Sequence, residues 1–198
     1  MPPLTAPATT SALRFDPALL LAAQTIRVVF LDVDGVLTDG GLLYSETGET
    51  LKRFNTLDGY GLKMLQRAGI TPAVITGRDS AALRTRLAAL GITHAVYGTE
   101  DKLPAAEKLL AELKLDWAHT AVMGDDWPDL PMLTRAAFAA APANAHVEIK
   151  ARAHHITQAS GGHGAVRELC DILLQASGHY ADMLRRFLPP SSSTPHQS

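Results

Sequence analysis

The segment Ile26 to Leu31 ends in an unbroken apolar run, Val28-Val29-Phe30-Leu31, and the chain then turns acidic at Asp32-Val33-Asp34-Gly35. A run that short cannot stand as a free helix. It has no alternating polar residue, so it predicts a strand buried on both faces. Such strands occur in parallel sheets layered between helices. The same kind of run recurs at Thr71 to Ile75, His94 to Tyr97, Thr120 to Met123, Ala137 to Ala140 and His154 to Ile156. Each is bounded by Gly, Asp or Pro, the residues that end strands.

Helical patterns fill the intervals: Leu62 to Arg67, Ser80 to Leu90, Leu103 to Leu113, Pro128 to Arg135, Ala145 to Arg152 and Ala165 to Ala176. Asp79 stands where an N-cap would, and Gly91 where a helix would stop. The alternation predicts an α/β fold, a doubly wound, Rossmann-like parallel sheet with helices on both faces. One segment breaks it. Leu42 to Ser45 and Glu49 to Phe54, joined by Glu46-Thr47-Gly48, read as a β-hairpin inserted after the first strand. The expected organisation is a partly disordered N-terminal extension over 1–25, a domain over 26–177 with its hairpin at 41–54, and a largely disordered tail over 178–198. Met1 to Ser11 and Pro189 to Ser198, rich in Pro, Ser and Thr, are expected to be disordered.

The 198 residues suffice for one self-sufficient core. A formal net charge of -2 gives no nucleic-acid footprint and no polybasic membrane patch. No apolar stretch is long enough to span a bilayer, and Met1 to Ser11 lacks a basic n-region, so a cytoplasmic location is expected. The single cysteine, Cys170, sits in the apolar pattern Val166, Leu169, Cys170, Leu173, Leu174 and reads as core.

Chemistry gathers at strand ends. Asp32 and Asp34 close the first strand, the edge where open α/β sheets bind ligands. Adjacent carboxylates repel unless a cation or proton joins them, and hard oxygen donors favour Mg²⁺. Thr76 places a hydroxyl after Val74-Ile75, and Lys102 places an ammonium at a helix start. Gly124-Asp125-Asp126-Trp127-Pro128-Asp129 places three more carboxylates after Thr120 to Met123. Each station alone has an ordinary explanation as a turn, a solvated lysine or an N-cap. The four together, in this order, converge on one edge.

These stations resemble the motifs of the haloacid dehalogenase superfamily: Asp-x-Asp, a Thr or Ser, a Lys, and an acidic Gly-Asp-Asp motif, here with one residue fewer before its last Asp. Further segments resemble, within that superfamily, the uncapped tetrameric phosphatases of 3-deoxy sugar-acid phosphates. These are Asp34 to Gly40, Phe54-Asn55, Asp58 to Gly61, Ile75 to Arg78 and Gly161 to Glu168, so the likeness runs from about Ile26 to Ala176. Residue 163 is His where the relatives often carry Arg.

The resemblance implies a phosphate ester hydrolysed through a phosphoaspartyl intermediate. Asp32 would be the nucleophile and Asp34 the general acid and base. Mg²⁺ would be held by Asp32, the Asp34 carbonyl and Asp125. Thr76 and Lys102 would bind the phosphoryl oxygens, with Asp126 and Asp129 orienting Lys102 or metal-bound water. Arg78, Arg86 and Lys63 would meet the substrate, with Asn55, Thr56, Asp58 and Gly59 lining the site. A homotetramer built through the hairpin is implied, a neighbour covering each open site, and Gly161 to Gly164 or the C-terminal tail reaching across. In the relatives of nine-carbon sialic-type specificity an acidic residue follows Ile-Thr-Gly, so by the same resemblance Arg78 implies an eight-carbon acid 8-phosphate of lipopolysaccharide precursor synthesis over a nine-carbon 9-phosphate.

Three other classes fit less well. A phospho-accepting receiver module would carry its reactive Asp alone after the third strand, where this chain has Gly98-Thr99. A non-catalytic scaffold has no need of the intact Asp32, Asp34, Thr76, Lys102 and Asp125, and a phosphomutase ordinarily needs a cap.

Overall fold

The structure, a computed structural model, describes residues 11–189. Along the chain come α1 (Pro17–Ala22), β1 (Val28–Leu31), β2 (Leu43–Ser45), β3 (Gly48–Leu51), α2 (Thr56–Arg67), β4 (Thr71–Ile75), α3 (Ala81–Leu90), β5 (His94–Val96), α4 (Lys102–Leu113) and β6 (Thr120–Met123). Then follow α5 (Leu130–Leu133), β7 (Phe138–Ala141), α6 (Val147–Lys150), β8 (His155–Ile156), α7 (Ala165–Ala176) and α8 (Tyr180–Arg185).

Six strands form one parallel sheet in the order β5-β4-β1-β6-β7-β8. β1 is central. Leu31 pairs with Val74 of β4 on one side and Met123 of β6 on the other. The chain therefore winds outward in both directions from β1, and the crevice at its carboxyl end is the switch point where such sheets bind ligands.

Alternation along β1 divides the core. Val29 and Leu31 pack with Leu62, Leu65, Leu83 and Leu169 on one face. Val28 and Phe30 pack with Leu109, Leu110, Met132, Leu133 and Ile149 on the other. Burying each such side chain contributes roughly 1.5–3 kcal/mol, so the sheet is held from both faces and its strand ends are rigid platforms. Cys170 is buried against Gly61, where an added Cβ would lie 3.0 Å from the Cys170 Cβ, and α2 and α7 pack closely there.

Several boundaries differ from the sequence expectation. α2 begins at Thr56, capped by the Asn55 side chain, a turn and a half before Leu62. α3 is capped by Ser80, whose side chain accepts from Leu83 N, and Asp79 instead pairs with Arg84 at 2.7 Å. The expected helix from Pro128 is a 3-10 turn, Trp127–Asp129, followed by the short α5. α1 and α8 lie within the outer segments, and the stretches 1–10 and 190–198 expected to be loose fall outside the described residues. The hairpin β2–β3 forms its own two-stranded antiparallel sheet.

Candidate active site

Three neighbouring strands deliver the chemistry. Asp32 follows β1 directly, and its backbone N–H donates to Met123 O at 3.1 Å, which continues the sheet one residue past the strand. Thr76 follows β4 and is buried, with Arg78 N donating to its Oγ1 at 3.3 Å. Lys102 opens α4 and points back under the sheet edge. Its Nζ lies 2.9 Å from Asp32 Oδ1 and 2.7 Å from Asp129 Oδ1.

The loop after β6 is folded around Asp129. Its Oδ2 accepts from Asp125 N at 3.1 Å and Asp126 N at 3.5 Å, so both carboxylate oxygens are in use. Gly124 makes this possible, since a Cβ there would lie 2.3 Å from the Asp129 Cβ. Gly35 allows the matching approach after β1. It has φ +89°, and a Cβ would sit 2.0 Å from Asp125 Oδ2. Asp126 turns away and accepts from Trp127 N at 2.9 Å, capping the 3-10 turn rather than orienting Lys102.

Asp32, Asp125 and Asp129 each offer an oxygen within 4.8 Å of the others. Burial raises Asp125 to about 7, with the charges of Asp32, Asp129 and Asp126 adding to it. Burial likewise raises Asp32 to about 6, helped by Asp129 and opposed by Lys102. Burial alone would lower Lys102, but Asp129 and Asp32 carry it above its ordinary value. One ammonium does not neutralise three crowded carboxylates. The donors are hard oxygens, and the Asp125 side chain is not engaged by a cationic side chain among the described residues. This set fits Mg²⁺. Asp129, with both oxygens committed, suits holding Lys102 rather than the ion.

The hairpin closes the other side. Asp34 is ion-paired with Lys52, and Lys52 Nζ also lies 2.8 Å from Glu49 Oε1. Burial pulls Lys52 down, yet its hydrogen bonds to Asp34 and Glu49 leave it above its usual value. Arg78 donates to the Tyr44 hydroxyl and to Glu49 Oε2 at 3.3 Å. Asp32, Asp34, Thr76, Arg78, Lys102, Asp125, Asp126 and Asp129 line one open cleft of about 290 Å³. A larger cavity of about 470 Å³ lies at the opposite end of the sheet, beside Gln24, Arg27 and His179, and no carboxylate lines it.

Of the remaining expected substrate residues, Asn55, Asp58, Gly59 and Arg86 line a separate small cleft, where the structure gives them other work. Asn55 caps α2 through Leu57 N at 2.8 Å, and Arg86 donates to Asn55 O at 3.1 Å. Asp58 is buried and accepts from Arg167 N at 2.8 Å. A Cβ on Gly59 would lie 2.2 Å from the Arg86 guanidinium. Thr56 and Lys63 are exposed. Gly161 packs against the Gly35 carbonyl and Gly162 against Thr38 and Asp39, with Gly161 N donating to Asn144 Oδ1 at 2.7 Å and Gly162 N to Val36 O at 3.0 Å. That loop is fastened within its own chain. His163 has Nδ1 2.9 Å from Gly161 O and Nε2 3.1 Å from Arg53, which also pairs with Asp39 at 2.6 Å. Sequence reading missed Lys52, Glu49 and Tyr44, whose roles depend on partners far along the chain.

A doubly wound sheet with this acidic cluster at its switch point, and a lysine set between two of the aspartates, defines a phosphohydrolase of the haloacid dehalogenase type. The haloacid dehalogenase-like hydrolase family model matches residues 96–169. The 3-deoxy-D-manno-octulosonate 8-phosphate phosphatase of Escherichia coli (strain K12) is 42% identical over 160 residues, spanning 81% of this chain and 85% of that one. Its counterpart from Yersinia pestis is 44% identical over 154 residues, spanning 78% and 82%. A solved 3-deoxy-D-manno-octulosonate 8-phosphate phosphatase from Moraxella catarrhalis, in complex with magnesium ion, phosphate ion and KDO, superposes with a TM-score of 0.83. It is 38% identical and covers 86% of this chain and 98% of that one. The chain belongs to the 3-deoxy-D-manno-octulosonate 8-phosphate phosphatase family, Mg²⁺-dependent phosphomonoesterases of the haloacid dehalogenase superfamily. No helix of the described residues is long and apolar enough to cross a membrane.

Proposed function

We propose that this chain hydrolyses 3-deoxy-D-manno-octulosonate 8-phosphate to the free sugar acid and inorganic phosphate, as a step of lipopolysaccharide precursor synthesis in the cytoplasm. Residues 26–177 carry the activity. The observation that supports it most is Lys102 Nζ seated between Asp32 and Asp129 in the cleft that Thr76 and Asp125 also line.

In this reading an Asp32 carboxylate oxygen attacks phosphorus, and the bond from phosphorus to the sugar oxygen breaks. Asp34 gives its proton to that departing oxygen. Water then attacks the phosphoaspartyl group, Asp34 takes a proton from it, and the Asp32–phosphate bond breaks to restore the carboxylate. Lys102 fixes one Asp32 oxygen and faces the phosphoryl group with positive charge. Thr76 Oγ1 accepts from Arg78 N, which leaves its own hydrogen to donate to a phosphoryl oxygen. Mg²⁺ would be held by Asp32, the Asp34 carbonyl and Asp125, and when bound it would supply charge neutralisation between the two anions. Arg78 is the residue of the cleft best suited to the substrate carboxylate, exchanging Glu49 for it.

The assembly is a homotetramer joined through the hairpin. Leu42, Leu43, Tyr44 and Leu51 are exposed on it, and a two-stranded sheet with free edges is marginal alone. The test is phosphate release across a panel of sugar phosphates with Mg²⁺. The eight-carbon acid 8-phosphate is expected to lead. Preference for a nine-carbon 9-phosphate would move the assignment to the sialic-type acids.

A further inference from the structure

Lys52 stands directly after β3, yet its side chain is only 2% exposed. A buried ammonium is costly unless anions meet it, and here two do. Asp34 Oδ1 accepts from its Nζ, and Glu49 Oε1 lies 2.8 Å away. Glu49 reaches Arg78 through its other oxygen, and Arg78 Nε lies 3.8 Å from Asp34 Oδ2. The four charges form a ring that joins the hairpin to the catalytic edge of β1. Within it, Asp34 Oδ2 is buried and has no hydrogen-bond partner.

We propose that Lys52 is a positioning residue for Asp34, holding Oδ1 so that Oδ2 is the oxygen that exchanges the proton with the leaving group. An ammonium has three donors and no acceptor, so a proton on the oxygen facing it would weaken that hydrogen bond and is disfavoured there. Oδ2 is left for that task, and it is the oxygen without a partner. Glu49 holds Lys52 from the far side, so the set of the hairpin fixes the rotamer of Asp34. A hairpin packed against other chains would thereby make assembly a condition of acid catalysis.

This inference rests on the reading of Asp34 as the general acid, and the experiment separates the two. The quantity is kcat/KM, which reports steps only up to transfer of the phosphoryl group to Asp32. It is measured on the sugar 8-phosphate, whose alkoxide needs a proton to leave, and on p-nitrophenyl phosphate, whose phenolate does not. Lys52→Met should lose at least about tenfold on the sugar phosphate and less than about threefold on the aryl ester. Lys52→Arg should recover part of the loss. Equal losses on both substrates would mean that Lys52 serves the phosphoryl group or the fold, and no loss on either would mean that it serves neither. Both results overturn the proposal. If Lys52→Met does not fold, Glu49→Gln carries the test, with the same split expected at smaller size and equal losses again overturning it. Asp34→Asn is the control. Absence of the substrate split there would sink the reading of Asp34 itself.

Discussion

Lys102 and Asp129, 27 positions apart, form an ion pair at 2.7 Å, with side chains 3% and 1% exposed. The pair is the pivot of the site. Asp129 uses its second oxygen to fix the backbone of Asp125, and Lys102 uses its remaining reach to fix Asp32. Asp129→Asn keeps an acceptor for the two backbone N–H groups but removes the charge that holds Lys102. Losing such a supporting partner typically costs about 10–100-fold in activity or metal affinity. Steady-state kinetics with a Mg²⁺ titration should show a fall in that range, and a change within about twofold would show that Asp32 alone holds the lysine.

The acidic cluster makes metal and pH interdependent. Asp32 and Asp125 stand at about 6 and about 7 in the metal-free fold, against an ordinary value of 3.8. Their folded values lie above their unfolded ones, so between about pH 4 and 7 the folded state binds more protons. The stability they contribute is present at low pH and is lost as pH rises through 6 to 7. Mg²⁺ takes the place of those protons, so its stabilising effect should grow over the same window. Thermal unfolding with and without Mg²⁺ should show a larger gain at pH 8 than at pH 5. A gain that is equal at both, or larger at pH 5, contradicts this account of the cluster.

Arg78 is tied to Glu49 and Tyr44, so a substrate carboxylate bound there as proposed would take their place. A charge-assisted hydrogen bond is worth roughly 1.5–3 kcal/mol, about 10–150-fold in kcat/KM when it is made in the transition state. Arg78→Ala should lose at least about tenfold on the sugar-acid phosphate and much less on p-nitrophenyl phosphate, which has no carboxylate. Equal losses would place Arg78 with the phosphoryl group or the fold.

Much of this site was legible because its parts sit at predictable places. Asp32, Thr76 and Asp125 follow buried apolar strands, and Lys102 opens a helix, so a parallel sheet brings them to one edge whatever the loops do. Other features were hidden by local signals that the packed structure overrides. The helix expected from Leu62 leaves the Asp58 to Gly61 stretch outside it, and glycine disfavours helix. The stretch is helical because Gly59 and Gly61 let Arg86 and Cys170 approach α2 closely. Lys52 and Glu49 look like solvated hairpin charges. Their burial depends on Asp34 and Arg78, 18 and 29 positions away, and no local pattern encodes such contacts.

The exposed hairpin residues make assembly testable without touching the cleft. Leu51 is 64% exposed on β3. Leu51→Glu would place a charge on the surface proposed to pair between chains. Sedimentation of the unaltered protein should report about four chains per particle, and the variant should report fewer. An unaltered protein that is monomeric and fully active would remove the need for a neighbour at the open cleft.

The central claim is that Asp32 attacks the phosphoryl group. Asp32→Asn is nearly isosteric, but an amide is neither a nucleophile nor an anionic ligand. The deciding measurement is the initial rate of phosphate release from 3-deoxy-D-manno-octulosonate 8-phosphate with saturating Mg²⁺, for the variant beside the unaltered protein, with both shown to be folded. The account predicts no release above background from the variant. Release at a rate comparable to that of the unaltered protein would contradict it.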